Sequence, residues 1–230
     1  MKKLAIITAR GGSKRIPRKN IKEFLGKPII AYSIQAAIES GVFDEVMVST
    51  DDKEIANVAL ELGASVPFYR TPGTADDFST TADVLVEVLQ EYQKQKMEFD
   101  YTCCIYPTAP FVTAEKLRNA FEVLIQSKAD TVIPITKFSF PIWRSFNKSE
   151  NGKLSFNWPE NAVKRSQDLE PAFHDCGQFY FFNTDKFLQT KKLLTNNTIG
   201  IEMPESQVQD IDNEEDWKIA EIKYSFLQNQ

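Results

Sequence analysis

Short apolar runs alternate with amphipathic stretches over the first 136 residues. The run at residues 3–8 is apolar on both faces, as a central strand of a parallel sheet should be. Apolar residues at three- and four-residue spacing then indicate helices between such runs. The predicted strands are 3–8, 45–50, 65–69, 101–106, 131–135, 178–183 and 199–203, and the predicted helices are 28–40, 53–62, about 80–95, 114–126, 184–189 and 213–226. This alternation predicts an α/β fold with a mostly parallel sheet.

The pattern changes at about residue 137. From there to residue 177 the chain is irregular, rich in Phe, Trp, Asn and Ser, and interrupted by Pro141, Pro159 and Pro171. This segment has too few periodic apolar positions for a core of its own, so we expect a single domain over residues 1–230 with an insertion. Aromatic residues in an insertion often mark a partner surface. We interpret the segment as a dimerisation arm, and a loose cover over the sheet edge is the alternative.

Composition narrows the functional classes. The chain has 27 basic and 32 acidic residues, a net charge of −5, which argues against generalised binding to nucleic acid or to a membrane surface. No apolar run is long enough to span a membrane, and the first residues lack a signal-peptide pattern, so we expect a cytoplasmic protein. Three cysteines and one histidine make neither a disulfide framework nor a His-rich zinc site. We expect Cys103 and Cys104 to pack in the core.

A basic loop follows the first predicted strand. Residues 10–22 hold six Lys or Arg side chains and no acid. Ligands of open parallel sheets bind beyond the carboxyl ends of the strands, where this loop lies. Gly11 and Gly12 allow close approach to backbone N–H groups, while Arg10, Lys14 and Lys19 supply positive charge. The loop is neither a Walker A motif nor a G-x-G-x-x-G fingerprint. It predicts a triphosphate site, against the alternative of a solvated basic loop.

Asp210 and Asp212 are two residues apart. On an extended backbone both carboxylates would project from one face and could hold a hard cation together with phosphate oxygens and water. The alternative is that Asp212 or Asn213 caps the helix that follows.

Three further strand exits are polar. Asp51 and Asp52 follow the second strand, and we favour helix capping for them. Arg70 follows the third strand and precedes a cluster made of Asp76, Asp77, Ser79, Thr80 and Thr81. Residues 106–110, Y-P-T-A-P, form a rigid exit from the next strand. Together with the basic loop, these exits predict a cleft along one rim of the sheet.

Residues 9–20, A-R-G-G-S-K-R-I-P-R-K-N, resemble the signature of the CMP-sialic acid synthetases, which activate nine-carbon sugar acids with CTP. S-T-D-D, Arg70 with Asp77, P-T-A-P and D-I-D-N-E-E-D-W then follow in family order over nearly the whole chain. The resemblance implies a Rossmann-like sheet flanked by helices, of the nucleotide-diphospho-sugar transferase type. It also implies a homodimer formed through the inserted arm and a need for Mg²⁺, with Mn²⁺ as a substitute.

The resemblance implies roles for particular residues. Arg70, with the backbone near Ser79 and Thr81, corresponds to the region that reads cytosine. Arg10, Lys14 and Asp212 are the catalytic candidates, and Asp210 and Asp212 the metal ligands. No residue stands out as general base, so a metal-bound hydroxide, Asp212 and the substrate itself remain open. The full CTP-binding set is Arg10, Gly11, Gly12, Ser13, Lys14, Lys19, Asn20, Arg70, Ser79 and Thr81.

Two departures from the sialic-acid enzymes concern the sugar. Tyr106 stands where they usually have Gln, and residues 174–177, H-D-C-G, replace an Arg-x-Asn-Gly run. The run R-S-Q-D-L…F-H-D-C-G-Q-F-Y looks like the branch of the family that uses pseudaminic acid, a sugar of bacterial flagellin and surface polysaccharide. The candidate sugar-binding residues are Tyr106, Arg165, Gln167, His174 and Gln178.

The resulting hypothesis is a cytidylyltransferase that converts CTP and pseudaminic acid into CMP-pseudaminic acid and pyrophosphate. The alternatives are an enzyme for sialic, legionaminic or a keto-deoxy sugar acid, and a nucleotide-binding regulator without turnover. For His174 the alternative is a structural hydrogen bond within the arm.

Overall fold

A computed structural model describes residues 1–75 and 79–229 and confirms the α/β architecture. The helices are α1 (Ile30–Ser40), α2 (Lys53–Glu61), α3 (Thr81–Lys94), α4 (Ala114–Ser127), α5 (Thr184–Thr190) and α6 (Glu214–Gln228). The strands are β1 (Lys3–Thr8), β2 (Glu23–Phe24), β3 (Lys27–Pro28), β4 (Glu45–Ser49), β5 (Tyr101–Ile105), β6 (Thr131–Lys137), β7 (Phe146–Lys148), β8 (Leu154–Phe156), β9 (Phe173–Asp175), β10 (Phe179–Asn183) and β11 (Thr198–Glu202).

The central sheet is mixed but mostly parallel. Its strand order is β11-β6-β10-β5-β1-β4, and β9 pairs with the end of β6. Strand β10 runs antiparallel to both of its neighbours, β5 and β6, and β9 is also antiparallel. The remaining strands are parallel, so their carboxyl ends share one edge.

Two apolar cores cover the two faces of the sheet. In β1, Ala5 and Ile7 face α1, α2 and α4, while Leu4 and Ile6 face α3 and α5. This alternation is the period of a strand that is buried on both sides. Cys103 and Cys104 divide in the same way between the two cores, and both are buried, as predicted.

A third apolar cluster fixes α6 against the basic loop. Trp217 and Ala220 of α6 pack with Ile16 of the loop, with Phe24 of β2 and with Ile211. Phe24 meets Trp217 edge to face, with ring centroids 5.5 Å apart. This cluster therefore holds together two segments that lie almost 200 residues apart in the sequence.

Two predicted elements differ from the structure. Residues 65–69 were expected to form a strand, but only Ser65 bridges to Met47, because Pro67 has no N–H to donate to a ladder. The first helix was expected from Pro28 and begins at Ile30, because Pro28 pairs with Glu23 in the β2–β3 hairpin.

The insertion at residues 138–172 is built of short turns and the β7–β8 hairpin. Five of its large apolar side chains are exposed, among them Phe140 at 83% and Val163 at 93%. Within residues 1–75 and 79–229 no helix combines the length and the apolar character that crossing a membrane requires.

Candidate active site

The basic loop is held at the rim by the two aspartates that follow β4. The Gly11 N–H donates to Asp51 Oδ1 (2.8 Å), and the Arg18 guanidinium donates to Asp52 Oδ2 (2.5 Å). The hydrogen bond from Arg18 lowers the pKa of Asp52 to about 2. Asp52 also accepts from the N–H groups of the first turn of α2, so the capping interpretation is confirmed for Asp52, whereas Asp51 binds the loop.

A cavity of about 380 Å³ lies against this loop. It brings together predicted CTP-binding residues with one predicted metal ligand and one predicted sugar-binding residue. The lining consists of Thr8, Arg10, Ser13, Lys14, Arg15, Lys19, Asn20, Tyr106, Pro107, Thr108 and Asp212. Four of the six basic residues of positions 10–22, Arg10, Lys14, Arg15 and Lys19, therefore line one cleft, which suits a polyphosphate.

A smaller cavity of about 230 Å³ adjoins the first and shares Thr8 and Arg10 with it. Arg70, Ser79 and Thr81 line it, as the cytosine-reading assignment requires. Arg70 is only 8% exposed, and its guanidinium donates to Ser49 Oγ (3.2 Å) and to the Ser49 carbonyl (2.9 Å). Burial lowers the pKa of Arg70. Asp76 and Asp77 lie outside the described residues.

Lys19 and the two predicted metal ligands form one electrostatic group. Lys19 Nζ donates to the Ile211 carbonyl (2.6 Å), and burial lowers the pKa of Lys19 although Asp212 and Asp210 oppose this. Burial and, secondly, the charge of Asp212 raise the pKa of Asp210. Arg15 pairs with Asp212 at 2.7 Å. A divalent cation between the two carboxylates would offset the charge of Asp212 that raises the pKa of Asp210.

Asn213, and not Asp212, caps α6. Its side chain accepts from the N–H groups of Glu215 and Asp216. The Asp216 side chain in turn accepts from the Asn213 N–H, which completes a capping box. The carboxylates of Asp210 and Asp212 are therefore available for another role. In the described ranges no group of three or more His, Cys, Asp and Glu side chains could hold a metal. The donor set at this place is thus two carboxylates, a shell that phosphate oxygens and water would complete.

A hydrogen-bonded tyrosine pair links the two cavities to the start of β10. The Tyr106 hydroxyl lies 3.1 Å from Thr81 Oγ1, and the rings of Tyr106 and Tyr180 meet with centroids 5.6 Å apart. The Tyr180 hydroxyl donates to Asp175 Oδ2 (2.5 Å), and burial raises the pKa of both tyrosines. Sequence reasoning missed Tyr180 and Asp175 as site residues, although both lie in the family-matching run that ends at Tyr180.

The other predicted sugar-binding residues do not line either cavity. Arg165 and Gln167 are exposed on the insertion, where Arg165 pairs with Asp168 at 2.9 Å. His174 is exposed on β9 and packs on the Phe138 ring at 4.7 Å. Gln178 is 1% exposed; its Nε2 donates to the Gln207 carbonyl, while its Oε1 has no partner. Within one chain, Tyr106 alone of the five reaches the cleft.

Replacing Gly11 by Ala should destabilise the loop, whereas replacing Gly12 should not. A Cβ at Gly11 would come within 2.8 Å of Asp52 Oδ2 and 2.9 Å of its Cβ, but a Cβ at Gly12 would meet no atom within 4 Å. We expect Gly11→Ala to cost about 1–3 kcal/mol in the free energy of unfolding. Thermal denaturation of both variants measures this, with Gly12→Ala as the matched control. Equal melting temperatures would show that the loop does not rest on Asp52.

Comparison with known proteins identifies the family to which the chain belongs. Residues 4–215 match a family model described as cytidylyltransferase. The chain belongs to the cytidylyltransferase family, and it is a nucleotidyltransferase of the acylneuraminate cytidylyltransferase type. The enzyme class predicted from the loop motifs is therefore confirmed.

Individual relatives extend the likeness along almost the full chain. The chain is 42% identical, over 97% of both chains, to pseudaminic acid cytidylyltransferase of Campylobacter jejuni. It is 33% identical to CMP-N,N'-diacetyllegionaminic acid synthase of Legionella pneumophila, over 96% of this chain and 95% of that one. Among solved structures, CMP:2-keto-3-deoxy-manno-octonic acid synthetase complexed with CTP matches over 100% of both chains, with a TM-score of 0.69 and 17% identity. That last likeness concerns the fold.

Proposed function

We propose that this chain transfers CMP from CTP to pseudaminic acid and releases pyrophosphate. The observation that carries the proposal is the pair of adjoining cavities, one lined by the basic loop and the other by buried Arg70. A nucleoside triphosphate needs two such volumes, one for the charged phosphates and one for the base. The choice of sugar rests on Tyr106, on residues 174–177 and on the 42% identity to the Campylobacter relative.

Arg10, Lys14 and Lys19 bind the triphosphate in this proposal. Cationic side chains that line a cleft compensate the phosphate charge more strongly than they would in bulk water. The Ser13 hydroxyl and the Gly12 N–H add neutral donors. Asn20 Nδ2 donates to the Arg10 carbonyl (2.9 Å), which fixes the start of the loop from inside the cavity wall.

Asp210 and Asp212 would hold Mg²⁺ once CTP supplies further oxygen ligands. Bound there, the ion would neutralise charge that develops on the phosphates and on the leaving pyrophosphate. Lys19 lies beside both carboxylates, so its ammonium joins the carboxylate pair to the phosphate loop. Arg15, paired with Asp212, orients that carboxylate within the same cavity.

The sugar acid enters the larger cavity from the side of Tyr106 and Thr108. The oxygen of its anomeric hydroxyl then attacks the α-phosphorus while the hydroxyl proton passes to one of the candidate bases named above. The new P–O bond forms, and the bond between the α-phosphorus and the bridging oxygen of pyrophosphate breaks. Tyr106 is held by Thr81 and by Tyr180, so its hydroxyl keeps a fixed position beside the bound nucleotide. A rigid, buried phenol suits recognition of one substrate stereochemistry.

The protein acts as a homodimer in this proposal, with the insertion as the contact arm. Exposed apolar side chains are concentrated there, including Phe140, Phe146 and Val163. Arg165 and Gln167 extend from the same segment and do not line their own cleft, so they would bind the sugar carboxylate in the cleft of a partner chain.

Pyrophosphate release from CTP with a panel of nine-carbon sugar acids tests the function. We expect turnover with pseudaminic acid to exceed turnover with sialic or legionaminic acid, and CTP to be used far better than UTP, because a pocket that pairs with the cytosine amine leaves an unpaired group on uracil. His174→Arg, which restores the residue type of the sialic-acid enzymes, should lose much of the sugar preference.

Each alternative has its own outcome in this assay. Preference of the wild-type protein for sialic acid would reject the sugar assignment and leave the cytidylyltransferase chemistry in place. Equal use of UTP would reject the role given to Arg70. Absence of pyrophosphate with every sugar acid, while CTP still binds, would identify a nucleotide-binding regulator.

A further inference from the structure

A second cavity, of about 580 Å³, lies between α1, the start of α4 and α6. It is larger than the cavity at the basic loop and falls within the usual size of small-molecule sites. Its wall combines aromatic rings with charged groups: Lys27, Tyr32, Glu39, Phe111, Lys116 and Tyr224. None of these residues lines the active-site cleft.

Lys116 is one of the two lysines of this wall, and part of the hydrogen-bonding capacity of its ammonium group is unused by the protein. Its Nζ donates to the Phe111 carbonyl at 2.8 Å, and no Asp or Glu of the described ranges lies within ion-pair distance. An ammonium group has three donors, so two remain for a ligand. Burial lowers the pKa of Lys116 to about 8, because the protein removes part of the water that would otherwise solvate the ammonium charge.

The rest of the wall offers a second cation and ring surfaces. Lys27 Nζ lies 4.0 Å from the centroid of the Tyr32 ring, and burial lowers its pKa also. Tyr32 and Tyr224 meet edge to face at 5.1 Å, and Phe111 adjoins Tyr224 at 6.0 Å. Positive charge beside packed aromatic rings is complementary to an anion that carries a flat or apolar body.

The cavity backs onto two segments of the active site. Tyr106, Pro107 and Thr108 line the active-site cavity, and the same loop continues through Pro110 to Thr113 in the wall of the second one. Gln207, another wall residue, precedes Asp210 by three positions. A ligand here would therefore contact the far ends of the segments that carry Tyr106 and the paired aspartates.

We propose that this cavity binds a small organic anion, whose carboxylate or phosphate group contacts Lys116 and whose ring body packs on Tyr32, Phe111 and Tyr224. The shared chemistry is a cluster of anionic oxygens attached to a ring. The site is separate from the CTP cleft, and a ligand bound here leaves the triphosphate loop open.

The proposal fixes the sign of a pH dependence. In the free protein Lys116 loses its proton as pH rises through about 8, and the bound anion favours the protonated amine, so affinity should fall through that range. The neighbouring titratable groups are Lys27, Glu39, Tyr32, Tyr224 and Cys176. Burial raises the pKa of Tyr32 and of Cys176 to about 12, which lies above the pH range in which affinity should fall. The variant Lys116→Arg distinguishes the titration of Lys116 from that of Lys27.

Titration calorimetry on the full chain with benzoate and with phenyl phosphate tests the site. Both probes carry the ring, and the better binder identifies carboxylate or phosphate as the preferred group. We expect Lys116→Met to weaken binding about tenfold or more, because it removes charge-assisted hydrogen bonds. Lys116→Arg should retain binding and lose the decline in affinity between pH 7 and 9. Two control variants should bind the probes as wild type does. They are Lys186→Met, at an exposed position of α5, and Lys14→Ala, in the CTP cleft.

Four results would overturn the proposal. Neither probe binds the wild-type protein; Lys116→Met binds as well as wild type; Lys116→Arg keeps the full pH decline; or Lys14→Ala abolishes binding, which would assign the probes to the CTP cleft. Sedimentation of the same samples adds one more outcome. If Lys116→Met dissociates an oligomer and no probe binds, the cavity is a protein interface.

Discussion

Asp210→Asn and Asp212→Asn should each lower metal-dependent pyrophosphate release by about a hundredfold or more. Each substitution removes one of two carboxylate ligands, and a bound ion contributes several kcal/mol of charge stabilisation in phosphoryl transfer. The fold should persist, because Asn213 caps α6 without help from either aspartate. Loss of the exposed Arg15–Asp212 pair should change the free energy of unfolding by less than about 1 kcal/mol.

The measurement is initial rate against Mg²⁺ and Mn²⁺ concentration, together with thermal denaturation. Asp185→Asn, which alters an exposed aspartate in the first turn of α5, is the matched control and should behave as wild type. Full metal-dependent turnover in both variants would show that the aspartates serve the fold alone. Metal binding in the absence of CTP should be weak, because two carboxylates leave most of the coordination shell to water.

Lys14→Ala should reduce turnover with CTP about ten- to a hundredfold and leave the melting temperature unchanged. Lys14 lines the cavity at the basic loop beside Arg10, and charge-assisted contacts to phosphate are worth roughly 1.5–3 kcal/mol each. Its loss should appear mainly in the apparent affinity for CTP if it binds the ground state, and in kcat if it acts on the departing pyrophosphate.

Lys186→Ala is the control for this substitution, because Lys186 is an exposed lysine of α5. Lys14→Arg should recover part of the activity, because charge is kept while reach and geometry change. Wild-type kinetics in Lys14→Ala would remove Lys14 from the triphosphate site and leave Arg10 and Lys19 as its cations.

Local patterns in the sequence were sufficient to predict most of the helices and central strands, and the edge of the sheet at which the cleft lies. The continuous apolar run of β1 and the three- and four-residue spacing of apolar positions in α3 follow from the burial of these elements. The basic loop was recognisable because six cations stand together in an acidic chain. Such signals are short-range, so they predict which residues lie at a strand exit without predicting their partners.

Long-range pairing explains what the sequence did not reveal. Lys19 bonds to Ile211 across 192 positions, and Arg15 pairs with Asp212 across 197. No periodicity links such residues, because packing of α6 in the third cluster brings them together. Residues 65–69 were assigned to a strand from β propensity, and the missing N–H of Pro67 outweighed it. The roles of Arg165, Gln167, His174 and Gln178 remain predictions.

The antiparallel direction of β10 also determines where sequence change is tolerated. The chain leaves the central sheet at the end of β6, returns to it at β9, which pairs with that same end of β6, and then continues into β10. A parallel strand would have required a crossover over one face of the sheet, and this connection requires none. The insertion can therefore lengthen, shorten or exchange side chains without altering either apolar core. Under the function proposed above, changes within residues 138–172 would alter the contacts that Arg165 and Gln167 make with the sugar acid and leave the CTP cleft as it is.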